Sequence, residues 1–251
     1  MTLTSIILLA AMVLLSIDGV IELAFISSMV SWVHRRAGGD FIIDYQNPQG
    51  PTFPLHGKPA IEFVDQGHTS NGAAGTAFIV IGLGGFLALF LRHRQLKRAG
   101  TLHGFTKFLY FFWLVMTVLS AMLAVAALVY TFVLTYQHMH QTIDIALAAS
   151  LDNRPYPDYV AYPEQGWTPE NWFTAVLDLP LAYGHDRSDI NLHLKLMQGW
   201  RWNLIPLSVL GIAVAVLAWA DKMQMARRTS SGMHLQPLDK MSRQEAGSPQ
   251  Y

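Results

Sequence analysis

Asp18 and Glu22 stand four residues apart in an otherwise apolar run, residues 1–33. On a helix that spacing places both carboxyls on one face. A charged acid near mid-membrane costs about 2.5–3.5 kcal/mol on the insertion scale. The pair must therefore face a bundle interior, lie near a membrane surface, or carry a proton. Two chemistries fit these intramembrane carboxylates. One is a proton or cation site; the other is a structural hydrogen bond to Thr76, Thr117 or Ser120 on neighbouring runs. The cores of those runs offer no Lys or Arg as a counter-ion and few polar groups to line a path. The structural bond is thus the default expectation.

The histidines are the next chemical candidates. His138 and His140 flank Met139, and His56, His68, His185 and His193 lie in other polar segments. Helical residues at i and i+2 point apart, so His138 and His140 do not readily share an ion. His140 with Asp144, at i+4, is the better but still weak metal pair, and solvated histidine is the ordinary reading. A haem would need axial ligands inside the bundle, and the apolar cores contain no histidine. The chain has no cysteine, which excludes disulfides, thiolate metal sites and thiol redox chemistry. It has no P-loop, no G-x-S-x-G and no H-E-x-x-H. We expect no enzyme activity, no cofactor and no nucleic-acid partner.

The elements that position these residues are four apolar runs, oriented by one basic stretch. Arg92, Arg94, Lys97 and Arg98 stand between two runs without an acid among them, and Lys107 adds a fifth positive charge. A short loop this rich in Lys and Arg stays cytoplasmic. Each run is long enough to cross roughly 30 Å of hydrocarbon as a helix. The expected division is a first span at 1–33, an outer loop at 34–71, a second span at 72–91 and the basic loop at 92–104. A third span at 105–136, a second outer loop at 137–201, a fourth span at 202–220 and a cytoplasmic tail at 221–251 follow. The tail is rich in Gly, Ser, Pro and Gln without periodicity, which reads as disorder.

Local signals refine this. Small residues recur at four-residue spacing: Ala73 and Ala77, Gly84 and Ala88, Thr117 and Ala121, Ser120 and Ala124, Gly211 and Ala215. Such faces let helices approach closely in lipid, within one chain or between copies. Residues 40–45 alternate weakly, as a short strand does. Thr69 or Ser70 is the expected cap of the second span. The third run has no Gly or Pro through Leu151, so one long helix is expected there, ended at Asn153-Arg154-Pro155. Thr168-Pro169-Glu170 reads as a helix start, with the threonine as cap and the proline at the first helical position. Asp186 or Ser188 caps a further short helix ending at Gly199. Tyr159, Tyr162, Trp167, Trp172 and Phe173 are the outer-loop recognition candidates. In the tail, Arg227-Arg228-Thr229-Ser230 resembles a basophilic kinase substrate pattern, and Ser248-Pro249 a proline-directed site. Ser230 and Ser248 are therefore candidate phosphorylation sites.

The expected fold is an all-α membrane protein: a four-helix transmembrane bundle with a small, mainly helical extracytoplasmic domain built from the two outer loops. Its layout resembles the tetraspan class, whose outline tetraspanins and claudins share. The paired-cysteine signatures of both are missing, so the resemblance implies no functional residue here. The favoured function is a non-enzymatic membrane organiser, adaptor or recognition protein. It would sit in a plasma membrane or endomembrane bilayer with both ends cytoplasmic, and bind protein partners or further copies of itself. The competing class is a small proton- or cation-coupled transporter or channel using Asp18 and Glu22.

Overall fold

The computed structural model describes residues 3–36, 38–45, 51–156 and 166–245, with side chains as far as residue 227. Four helices are long and apolar enough to cross a membrane. The first is α1 (Leu3–Arg36). The second begins as α2 (Asp65–Gly75), passes through a π-helical stretch (Thr76–Leu83) and ends as α3 (Gly84–Ala99). The third is α4 (Gly104–Gln137). Two short helices, α5 (Ile145–Ser150) and α6 (Pro169–Leu177), precede α7 (Gly184–Glu245), which contains the fourth span. Only 28–39% of each apolar window is buried within the chain. The remaining apolar surface, including Ile17, Leu87, Leu119 and Val216, faces outward. In water that would be a large liability; in a bilayer it is the required lipid contact. The protein is thus a multi-pass membrane protein.

Small residues let the spans approach. A Cβ on Gly85 would lie 2.5 Å from Nε1 of Trp113 and 2.6 Å from Cε of Met12. No larger residue fits between α1, α3 and α4 at that level. The π-helical stretch shifts the backbone pairing, so the Gly84 amide donates to the Ile79 carbonyl five residues back. The Ile81 carbonyl accepts from Nε1 of Trp113 at 3.2 Å. Ala73, Ala77, Ala88, Ala121 and Ala124 are buried, and Gly211 lies against Ala121. These small-residue faces are used for packing within the chain.

A second core lies at one end of the bundle. It joins Ile26, Met29 and Trp32 of α1 to the strands, to α5 and α6, and to Ile190, Met197 and Trp200 of α7. The strands β1 (Asp40–Asp44) and β2 (Thr52–His56) pair antiparallel, with Phe41 opposite Leu55. Isolated bridges tie Ile43 to Leu181 and Glu62 to Trp167, so both interhelical segments enter one folded cap.

Several local expectations are corrected. The second span starts at Asp65, not at Thr69 or Ser70; those hydroxyls instead donate to the carbonyls of Asp65 and Gln66. The third helix does not run on to Leu151. It ends at Gln137, the chain turns through His140 at φ 69°, and Asp144 caps a separate α5 through the amides of Ala146 and Leu147. No Gly or Pro signalled that break. No separate helix ends at Gly199 either; α7 runs from Gly184 through the fourth span without interruption. Its backbone stays helical to Glu245, where disorder was expected. Thr168 does cap α6, its Oγ1 accepting from the Asn171 amide at 3.2 Å.

Candidate functional site

Glu22 faces α7, the fourth spanning helix, and meets a residue that the spacing of the two acids did not announce. Nδ2 of Asn203 donates to Oε2 of Glu22 at 3.0 Å and approaches the Asp18 carbonyl at 3.5 Å. Glu22 is fully buried. Thr76 and Thr117, expected as partners, donate instead to the carbonyls of Gly72 and Leu114 in their own helices. A carboxamide suits this position because it brings donors without adding charge. One oxygen of each acid, Oδ2 of Asp18 and Oε1 of Glu22, is closed to water and has no partner. The signal for Asn203 was present in the sequence: it is a lone amide at the edge of the fourth apolar run, beside Trp202.

At the opposite end of the bundle, Arg92 is not simply a loop charge. Its Nη1 lies 2.6 Å from Oδ2 of Asp221 and donates to the Tyr110 hydroxyl at 2.8 Å. Oδ1 of Asp221 accepts from the Ser5 hydroxyl at 2.6 Å. This network links all four spans, and both charged side chains are largely buried. Arg94, Lys97, Arg98 and Lys107 are exposed at the same end. The topology-setting role expected of Arg92 is therefore joined by a packing role.

The cap has its own ion pairs. Arg36 binds Asp186 at 3.2 Å and also Asp189, which accepts from Nε1 of Trp32 at 2.9 Å. Trp32 stacks on His193 with ring centroids 4.4 Å apart. Arg201 lies 3.0 Å from Glu170. Burial pushes the Glu170 carboxyl above its ordinary range, and Arg201 opposes that shift without cancelling it. Burial likewise raises Glu62, against the opposing charges of Lys58 and His34.

The expected recognition residues divide. Trp167, Trp172 and Phe173 are at most 3% exposed and form the cap's core, so they cannot meet a partner. Nε1 of Trp172 donates to the Gly57 carbonyl, which joins α6 to the turn after β2. Tyr159, Tyr162 and Ser248 lie outside the described residues, as does the side chain of Ser230. His140 and Asp144 do not form a metal pair: the turn separates them from one helical face, and the Asp144 carboxylate caps α5. No cluster of three or more potential metal-ligating side chains occurs among the described residues.

Comparison with protein-family models, curated proteins and solved structures returned no match.

Proposed function

We infer that this multi-pass membrane protein is a non-enzymatic organiser or recognition protein that holds a rigid folded cap on the extracytoplasmic side of its bundle. The observation that carries this reading is the shared core of α1, the strand pair, α6 and α7. A cap whose core includes two of the spanning helices moves with them, which suits a fixed presenting surface. The exposed basic residues at the other end support a cytoplasmic basic loop, and Arg36 at the cap end is engaged by two aspartates. With Trp167, Trp172 and Phe173 buried, the exposed Tyr183, stacked on His185, becomes the recognition candidate.

The test uses the absence of native cysteine. Single cysteines at Ala99 and Asp178, both exposed, are labelled in intact cells with an impermeant thiol reagent. Labelling at 178 alone supports the reading, and labelling at 99 reverses the orientation. Affinity isolation from native membranes then asks whether co-purifying proteins are lost when Tyr183 and His185 are replaced by alanine.

The two unpartnered carboxylate oxygens favour a second reading, transport of a proton or cation through the Asp18 and Glu22 site. Purified protein in liposomes decides it. No flux above empty liposomes across ions and pH removes transport. Flux abolished by Asp18→Asn at unchanged thermal stability removes the purely structural role.

A further inference from the structure

A cavity of about 450 Å³ opens at the basic end of the bundle, between α1, α3 and α7. Leu9 of α1 with Phe86 and Phe90 of α3 form its apolar walls, and Arg92, His93 and Asp221 stand at its polar end. Phe90 is 60% exposed, so this wall borders the surface that the bilayer covers. Arg92 directly follows the second apolar run. The polar end therefore lies where hydrocarbon gives way to head groups. The volume falls in the range of small-molecule sites.

One polar group of this cavity is only half used. Arg92 makes its bonds through Nη1 alone, to Asp221 at 2.6 Å and to the Tyr110 hydroxyl at 2.8 Å. The Tyr110 ring covers one face of the guanidinium at 4.8 Å. Nε and Nη2 have no partner among the described residues, yet neither is sealed from a water-sized group. Arg201 differs, because its unpartnered Nε is closed off. The parallel N–H groups of Nε and Nη2 form the fork that receives two oxygens of a phosphate. Asp221 approaches from the Nη1 side, and its other oxygen is bound by Ser5. It is the one acid among the described residues at this end, where Arg94, Lys97, Arg98 and Lys107 are exposed. The surrounding charge therefore favours an anion.

We propose that this cavity holds an anionic phospholipid of the leaflet at the basic end. Its phosphate sits on the Nε–Nη2 fork of Arg92, and one acyl chain lies against Leu9, Phe86 and Phe90. The apolar walls select a lipid over free phosphate. The surplus of basic residues selects an anionic head over a zwitterionic one. The site is built by the spans alone. It stands whichever way the bundle is oriented and whatever the cap recognises.

The experiment uses the full-length protein in nanodiscs and a phosphatidylglycerol probe with a diazirine in one acyl chain. Crosslinks should map to residues 5–9 and 86–93. A diazirine diacylglycerol, which lacks the phosphate, should label these segments about tenfold or more less strongly. A diazirine phosphatidylcholine, whose head is zwitterionic, should also label them less. Unlabelled phosphatidylglycerol should compete, and inorganic phosphate should not. Arg92→Lys keeps a charge opposite Asp221 but removes the fork, and should weaken labelling about tenfold. Leu9→Trp fills the apolar part of the cavity without touching the ion pair, and should abolish labelling. The control probes and competitors need no variant, so the proposal stays testable if a substitution prevents folding. It is overturned if phosphatidylglycerol does not label these segments, or if either control probe labels them equally well. It is also overturned if inorganic phosphate competes as well as the lipid, or if a folded Arg92→Lys or Leu9→Trp protein is labelled like the native chain.

Discussion

Asn203 reaches Glu22 across the bundle, its side-chain amide 3.0 Å from a fully buried carboxyl 181 residues away in sequence. This bond fastens the first span to the fourth. Replacing Asn203 by leucine keeps the branched shape of the side chain and removes the donor. We expect a loss of about 1–3 kcal/mol, the cost of leaving one more buried oxygen unpaired. Thermal unfolding in detergent measures it. Glu22→Gln in the Asn203→Leu background should recover part of the loss, because a neutral amide is cheaper to bury than a carboxylate. No recovery would mean that the glutamate charge is not the cost.

The Arg92–Asp221 pair should behave as a buried ion pair. Removing either partner alone leaves an uncompensated charge and is expected to cost about 3–5 kcal/mol. The combined Arg92→Met and Asp221→Leu change should cost far less than the sum of the two. Melting temperatures of the two single variants and the double variant close this cycle. Strict additivity would show that the pair is not coupled.

Thr168→Ala should cost about 0.5–2 kcal/mol of local stability. The lost bond is the one from the Asn171 amide. Hydrogen exchange should rise in α6, from Asn171 to Leu177, and leave α4 unchanged. Unchanged protection across α6 would show that Pro169 and core packing hold the helix start without the cap.

Glu62 carries a pH prediction. Burial raises its carboxyl above the ordinary 4.5, so the folded state holds that proton more tightly than the unfolded chain does. The sign follows. Below about pH 4.5 both states are protonated and no penalty exists. As pH rises from there through the folded-state value, Glu62 progressively destabilises the fold, and above that value the penalty is constant. Glu62→Gln should therefore melt higher than the native chain at neutral pH, by a margin that shrinks towards zero as the pH falls below 4.5. A margin independent of pH would remove the titration of Glu62 as its cause.

The sequence by itself determined the four spans, the basic end of the bundle and the start of α6. Each follows from rules acting within a few residues or within one helix. An apolar run of sufficient length must pair its backbone internally in lipid, and it does so as a helix. A threonine before Pro-Glu satisfies the first free amides of the helix that follows. The strand at 40–44 was legible from alternation, but its partner β2 was not, because Pro54 lies within it and a proline weakens the strand signal.

Only the tertiary structure decided which polar group serves Glu22, which acid holds Arg92, and whether Trp167, Trp172 and Phe173 face a partner or a core. These questions concern residues far apart in the chain: Arg92 and Asp221 are separated by 129 positions. A tryptophan in a loop has the same composition and local pattern whether it is exposed or buried. Its burial depends on what the strands, α1 and α7 bring over it. The break after α4 was equally hidden, because it comes from the capping of α5 by Asp144 and a left-handed turn at His140, not from a helix-breaking residue. Local chemistry sets where helices can form, whereas the energy of burying or pairing a side chain depends on neighbours that only the folded chain supplies.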